Sequence, residues 1–183
     1  LLTLMLMRVM YRKNAAVAAA SPVLPAGQQA LLTAPDRFAM REPVIAFIGL
    51  GANLGDPQAN LTWAIDQISA LPKVLDSQGS GVYRSAPIDS CGPDYFNAVL
   101  MISTTYSAPD LMVVLQKIEQ FAGRERPYRN APRTLDLDLL LYGSAQINSL
   151  HLQVPHPRLT DRAFVLLPLA ELAPDRVTGD QLA

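Results

Sequence analysis

Residues 134–141 read Thr-Leu-Asp-Leu-Asp-Leu-Leu-Leu, an alternation of leucines and acids that is typical of a β-strand with one buried face. The side chains expected in the core are Leu135, Leu137, Leu139 and Leu141. Side chains two apart leave the same face of a strand, so Asp136 and Asp138 would stand side by side opposite the core. Gly143 would end the strand. The stretch therefore predicts a core strand that carries a pair of carboxylates.

Hydrophobic periodicity upstream predicts the remaining elements in the order strand, helix, strand, strand, helix, before the strand at residue 135. A continuous apolar run over 44–50 predicts the first strand. Asp56 before Pro57 marks one helix start, and Ser107 with Asp110 three residues on marks another. The other predicted elements are strands at 74–84 and 95–105, a loop at 85–94 and a short last helix at 160–173, limited by Pro168 and Pro174.

This order predicts an α+β, ferredoxin-like βαββαβ sandwich, with an antiparallel sheet, both helices on one face and an extra C-terminal segment. We expect the folded domain to span 44–183. Residues 1–43 hold five Arg and Lys against two acids, a net charge of +3. We interpret this stretch as a disordered N-terminal extension, with an organellar targeting peptide as the alternative.

Composition limits the kinds of site that the chain can build. The 183 residues include one Cys and two His and carry a net charge of −1. An intramolecular disulfide framework and a zinc or iron–sulfur site rich in Cys or His are thereby excluded, so a catalytic metal would be a hard cation held by carboxylates. The near-neutral charge gives no global basic field for nucleic acid, and no run approaches the length of a membrane span.

The acidic pair by itself fits two interpretations. Carboxylates about 6 Å apart repel by roughly 3 kcal/mol at an effective dielectric constant near 20, and a strand cannot separate them. A divalent cation such as Mg²⁺, completed by water and phosphate oxygens, would remove that cost. The alternative is a solvated strand face with two ordinary acids.

A cationic loop lies directly before the acidic pair. It holds Arg124, Arg126, Arg129 and Arg133 within ten residues, with Glu125 the only acid among them. Guanidinium groups bind phosphate oxygens bidentately, and a metal with arginines is the recurring apparatus of phosphoryl transfer. The loop therefore favours a phosphate site, with a solvated basic loop or a nucleic-acid patch as the alternatives.

Two common phosphate-binding motifs are missing from the sequence. No G-x-x-x-x-G-K-[ST] occurs, so a P-loop is excluded. Gly49, Gly51 and Gly55 follow the first strand, but their spacing departs from G-x-G-x-x-G. We expect these glycines to serve a tight turn between the strand and the helix.

The run at 129–140, Arg-Asn-Ala-Pro-Arg-Thr-Leu-Asp-Leu-Asp-Leu-Leu, resembles the signature of the 6-hydroxymethyl-7,8-dihydropterin pyrophosphokinase family of the folate pathway. Further segments that are similar to the family's motifs follow in the same order, at 49–56, 83–87, 94–98, 154–158 and 162–164. The resemblance covers about residues 45–174. Several motifs in order make it far more specific than any one of them alone.

The resemblance implies transfer of pyrophosphate from ATP to the hydroxymethyl group of the dihydropterin, with release of AMP and with two Mg²⁺ ions. It implies a cytoplasmic monomer without nucleic-acid or membrane partners. The residues implied as catalytic are Arg124, Arg133, Asp136 and Asp138, the two aspartates also being the metal ligands. Those implied around the nucleotide are Gln116, Glu119, Arg126, His156 and Arg162. Those implied for the pterin pocket are Ser85, Ile88, Tyr95, Asn97 and Phe164.

Two other functions stay open from the residues alone. A non-catalytic ferredoxin-like module could bind RNA or sense a small ligand, but Tyr95 and Phe96 are adjacent and so point to opposite faces, unlike the aromatic residues of an RNA-binding sheet. A nucleotidyltransferase could use the same carboxylate pair with Mg²⁺. It would transfer the AMP portion and release pyrophosphate, so the nucleotide product distinguishes the three functions.

Overall fold

The computed structural model describes residues 41–87, 92–123 and 133–182, so all but the last three residues of the extension predicted at 1–43 lie outside the described residues. The main sheet contains β1 (Val44–Ala52), β2 (Val74–Gly79), β3 (Tyr83–Ser85), β4 (Tyr95–Thr104) and β5 (Asp136–Tyr142). The helices are α1 (Pro57–Ser69), α2 (Ala108–Phe121), α3 (Ala163–Leu172) and α4 (Gly179–Leu182), with a 3₁₀ turn at Pro174–Arg176. A small hairpin pairs β6 (Ile147–Asn148) with β7 (Gln153–Val154).

The sheet has the strand order β2-β4-β1-β5, with β3 pairing β4 beside β2, and its pairings are antiparallel. The predicted α+β, ferredoxin-like fold is therefore confirmed. β1 is a central strand, and β5, which carries the two aspartates, lies beside it at one edge. Within the described ranges no helix is both long and apolar enough to cross a bilayer.

The predicted helix starts are confirmed by their caps. The Asp56 side chain accepts a hydrogen bond from the Ala59 amide at 3.0 Å, with Pro57 at the first position of α1. The Ser107 hydroxyl accepts one from the Asp110 amide at 3.2 Å at the start of α2. Each cap satisfies an amide that the first helical turn leaves without a partner.

Two apolar clusters lie on the two faces of the sheet. The larger packs α1 and α2 against residues such as Ile48, Leu100 and Leu137. The smaller packs α3 against Val99 and Leu140. α1 and α2 lie on one face of the sheet, as predicted, and α3 covers the opposite face. Pro168 was expected to limit that helix, but it lies inside α3 and is buried.

Two details of the strands differ from the sequence prediction. The stretch at 74–84 is two strands, because the Ser80 side chain accepts a hydrogen bond from the Val99 amide at 2.9 Å where the ladder is interrupted. In β5, Leu139 pairs with Ile48 and Leu141 with Phe47, so Leu140 is an extra, bulged residue. Leu141 is buried as predicted, but the alternation stops at the bulge, so Leu141 packs in the smaller cluster and not with Leu137 and Leu139 in the larger one.

Candidate active site

An open cleft of about 740 Å³, counting its solvent-open part, lies on the sheet face that α3 covers. The sheet contributes Gly51, Ser85, Tyr95, Asn97 and Asp136, and the chain around the start of α3 contributes Arg158, Asp161, Arg162 and Phe164. Arg133 lies at the rim, and an adjoining part that shares several of these residues adds Gly49, Asp138 and His156.

The acidic pair faces this cleft. Asp136 and Asp138 leave the cleft face of β5, while Leu137 between them is buried in the larger cluster, as the alternation predicted. Gly51 and Gly49 of β1 stand directly opposite the two acids in the antiparallel ladder. Because glycine has no side chain, β1 leaves space beside Asp136 at Gly51, whereas at Gly49 the Leu140 side chain lies 3.3 Å from where a Cβ would be. Both glycines lie within β1, so the expectation that they serve a turn is wrong for them; Gly55, with φ +68°, lies in the turn.

The environment of Asp138 opposes the ionisation of its carboxyl group in the absence of a cation. Burial, and then the charge of Asp136, raise the pKa of Asp138 above its ordinary value, against the opposing charges of His156, Arg162 and Arg133. His156 Nε2 lies 4.0 Å from an Asp138 carboxylate oxygen. A cation placed between the two acids would relieve their repulsion.

Three arginines supply positive charge around the cleft. Arg133 pairs with Asp136 at 2.7 Å, and its buried Nε has no hydrogen-bond partner among the described residues. A buried donor of this kind is what a bound anion would satisfy. Burial and the neighbouring charge of Arg158 lower the pKa of Arg162, the residue directly before α3. The clustered positive charge therefore costs free energy that a polyanionic ligand would offset.

The other end of the cleft is shaped for a flat polar ligand. Asn97 is buried, and its amide nitrogen donates to the Ser85 hydroxyl at 3.0 Å and to the Tyr83 carbonyl at 3.3 Å. The Phe164 ring lines the cleft from α3, with the Arg162 guanidinium 5.6 Å from its centroid. An amide oxygen beside an aromatic wall suits the edge and the face of a heterocycle.

The remaining predicted site residues are not all in the cleft. Gln116 is exposed on α2. Glu119 is buried, and its carboxylate accepts a hydrogen bond from the Leu137 amide at 2.6 Å, directly between the two aspartates in sequence. Arg124, Arg126 and Ile88 lie outside the described residues. Of the predicted set, the structure brings together Arg133, Asp136, Asp138, His156, Arg162, Ser85, Tyr95, Asn97 and Phe164.

Sequence reasoning missed two groups of residues. Arg158 and Asp161 line the cleft. Arg158 ends the 154–158 segment that resembles the family, which was the available signal for it. Asn53 is buried beneath the rim, where its Oδ1 accepts from the Arg133 amide at 2.8 Å and its Nδ2 donates to the Pro93 carbonyl at 3.1 Å. One side chain therefore joins Pro93, before β4, to Arg133, before β5.

The donor set of the cleft fits magnesium. Among the described residues, no group of three or more His, Cys, Asp or Glu is arranged to hold a metal ion by itself. Mg²⁺ at nucleotide sites usually takes only one or two carboxylates and completes its octahedron with waters and substrate phosphates. Asp136 and Asp138, next to a cationic surface, match that pattern.

Fold and cleft together define a phosphoryl-group transferase of ferredoxin-like architecture. The chain belongs to the 7,8-dihydro-6-hydroxymethylpterin-pyrophosphokinase (HPPK) family, which matches residues 47–174. It is 42% identical over 132 residues to the 2-amino-4-hydroxy-6-hydroxymethyldihydropteridine pyrophosphokinase of Synechocystis sp., covering 72% of this chain and 68% of the relative. The enzyme of that name from Methylorubrum extorquens is 40% identical over 137 residues, covering 74% of this chain and 87% of the relative.

A solved structure supports the fold alone. The HPPK-DHPS protein of Plasmodium falciparum, crystallised with pterin and p-hydroxybenzoate, matches with a TM-score of 0.51 at 17% identity. The match covers 79% of this chain and 41% of that one.

Proposed function

We propose that this chain transfers the pyrophosphoryl group of ATP to the hydroxymethyl group of 6-hydroxymethyl-7,8-dihydropterin, in the biosynthesis of folate. The products are the pterin diphosphate and AMP. The observation that carries the proposal is the meeting, in one cleft, of the Asp136 and Asp138 pair with the arginines and with the Asn97 and Phe164 pocket. Family membership agrees with this reaction.

The triphosphate would lie over the acidic pair and among the cations. Arg133, Arg158 and Arg162 would bind phosphate oxygens, with His156 beside Asp138. Mg²⁺ bound by Asp136 and Asp138 would neutralise charge on the transferred group. Arg133 is placed to stabilise charge that develops during transfer, because its guanidinium group lies beside that pair.

The dihydropterin would occupy the Asn97 end of the cleft. The Asn97 amide can complete hydrogen bonds to the ring edge, and Phe164 can stack on the ring face. This pose aims the hydroxymethyl oxygen at the β-phosphorus of ATP. The new bond joins that oxygen to the β-phosphorus, the bond from the β-phosphorus to the α,β-bridging oxygen breaks, and the hydroxyl proton is released.

Product identification tests the proposal. The protein is incubated with ATP, Mg²⁺ and the reduced pterin, and the products are separated and identified by mass. AMP together with pterin diphosphate is the expected result, and it should disappear when a chelator removes Mg²⁺. Pyrophosphate release would instead identify a nucleotidyltransferase, and binding without products would identify a non-catalytic module.

We also propose a monomer located in the cytoplasm, as the resemblance implies. Light scattering of the purified protein at micromolar concentration tests the first statement, and fractionation of the source cells tests the second. A stable dimer, or recovery in another compartment, would contradict them.

A further inference from the structure

A row of residues crosses four strands in register on the cleft face of the sheet. Asp136 of β5 is opposite Gly51 of β1, Gly51 is opposite Asn97 of β4, and Asn97 is opposite Tyr83 of β3. Residues directly opposite one another in a ladder point to the same face. Tyr83 therefore continues the row that begins at the acidic pair, although it does not line the cleft itself.

Tyr83 is connected to the helix that forms the other wall. Its hydroxyl donates a hydrogen bond to one carboxylate oxygen of Glu171 on α3, and the Gly81 amide donates to the other at 2.8 Å. Glu171 follows Phe164 by seven residues, which is about two helical turns, so both leave a similar side of α3. One carboxylate thus joins the C-terminal half of α3 to the chain between β2 and β3.

Apolar packing alone would not fix where α3 sits on the sheet. Its other contacts are those of the smaller cluster, including Val165, Leu166 and Leu169. Apolar burial is non-directional, whereas hydrogen bonds have defined lengths and angles. The two bonds to Glu171 are therefore suited to set the lateral position of the helix, and with it the position of Phe164.

We propose that Glu171 and Tyr83 are positioning residues that set the width of the cleft between Asn97 on the sheet and Phe164 on α3. The inference rests on the proposed function, in which the planar ligand between these walls is the pterin. Tyr83 acts on both walls, because its hydroxyl holds Glu171 while its carbonyl accepts from the Asn97 amide at 3.3 Å. Asp138 and His156, at the nucleotide end, take part in none of these three hydrogen bonds of the link.

Single-atom variants separate this role from general stability. Tyr83→Phe removes only the hydroxyl, and Glu171→Gln keeps the size of the side chain. Tyr142→Phe is the matched control, because its hydroxyl donates to the Tyr106 carbonyl at 2.6 Å and its ring packs against the larger cluster on the far face of the sheet. The dissociation constants of the pterin and of a non-hydrolysable ATP analogue are measured for each variant by fluorescence and calorimetry.

Tyr83→Phe and Glu171→Gln should each raise the dissociation constant of the pterin roughly 3- to 10-fold, as expected for a lost hydrogen bond, and change that of the nucleotide by less than about 2-fold. The dissociation constant of the pterin should be no higher in the double variant than in the more affected single variant, because both substitutions break the same link. Tyr142→Phe should change neither constant. Equal pterin binding in Tyr83→Phe and Tyr142→Phe would overturn the inference.

A second measurement needs no ligand. Amide hydrogen exchange over 163–172 should be faster in Tyr83→Phe and Glu171→Gln than in Tyr142→Phe. Unchanged exchange would also overturn the inference. Failure of the wild-type protein to bind pterin or form AMP, with exchange altered as expected, would refute the proposed function instead.

Discussion

Arg133 Nη1 lies 2.7 Å from an Asp136 carboxylate oxygen, three residues along the chain, so the last residue of the cationic segment is paired with the first residue of the acidic strand. Burial alone would lower the pKa of Arg133, but the charges of Asp136 and other neighbours raise it above its ordinary value. The side chain is thus charged and held at the rim. Its buried Nε has no hydrogen-bond partner within the described part of the chain.

Arg133→Ala should slow the chemical step far more than it weakens pterin binding. Loss of one charged donor to a developing negative charge typically costs on the order of 10²- to 10³-fold in rate. We expect that loss in single-turnover experiments, with less than about a 3-fold change in pterin affinity. Arg133→Lys should recover part of the rate, because it keeps the charge without the planar fork. An unchanged single-turnover rate would show that Arg133 helps only to bind the substrate.

Asp138→Asn should abolish turnover and leave the protein folded. The variant loses a proposed ligand of Mg²⁺, for which we expect a rate loss on the order of 10³-fold. It also removes a carboxylate that burial and Asp136 make costly to ionise. Circular dichroism and urea unfolding test the fold, and the rate is measured over a range of Mg²⁺ concentrations. Full activity at ordinary Mg²⁺ would refute the metal assignment.

The same substitution predicts a pH dependence of stability in metal-free protein. An acid with a raised pKa binds its proton more tightly in the folded chain, so the free energy of unfolding falls as pH rises from about 4 through that raised pKa. Wild-type protein should therefore be less stable than Asp138→Asn at neutral pH, and the difference should shrink as pH falls toward about 4. Urea unfolding in the presence of a chelator measures the difference in unfolding free energy between the two proteins. A difference that is independent of pH would contradict the raised pKa of Asp138.

Gly51→Val should block the pterin end of the cleft. A Cβ at this position would lie 3.5 Å from Asn97 Oδ1, an ordinary contact, so the backbone can accept a side chain. The two further methyl groups would occupy space in front of Asn97 and Asp136. We expect at least about a 10-fold weaker pterin affinity, in line with the cost of overfilling a packed site. Gly179→Ala, where an added Cβ meets nothing within 4 Å, is the control and should bind normally.

Asn53→Ala should destabilise the protein and slow turnover together. It leaves the Arg133 amide and the Pro93 carbonyl without their buried partner, a loss of roughly 1–3 kcal/mol for each group so stranded. Asn60→Ala is the comparison, since Asn60 is half-buried and its Nδ2 donates to the Leu54 and Thr134 carbonyls outside the cleft lining. Asn53→Ala should lower both the free energy of unfolding in urea and the steady-state rate more than Asn60→Ala does.

Much of the fold was predictable because its signals are local. The caps at Asp56 and Ser107, and the alternation around Asp136 and Asp138, depend on residues within a few positions of one another. The break at Ser80 and the bulge at Leu140 depend instead on partners in other strands. No periodicity in a single segment reports such pairings, and none reports which face of the sheet α3 would cover.

The candidate site likewise has some features that follow from local sequence and others that depend on residues far apart in the chain. The acidic pair followed from the two-residue period of a strand, whereas the role of Asn53 depends on Arg133 and Pro93, which are distant in sequence. Glu119 shows a signal that could have been used. It lies four residues after Leu115, on the apolar stripe of α2, and that position predicts a buried carboxylate with a partner rather than a solvent-facing ligand.

The extra residue in β5 restricts how this chain can vary in length. Between Asp138 and Leu141 the bulge decides which side chains face α1 and α2 and which face the cleft and α3. Deleting one residue there would turn the side chains beyond the deletion to the opposite face of the sheet. The tip of the small hairpin, where Leu150 is 92% exposed, has no such restriction. Insertions and fused tags should therefore be tolerated around residue 150 and rejected within 138–141, a contrast that a library of single-residue insertions would record directly.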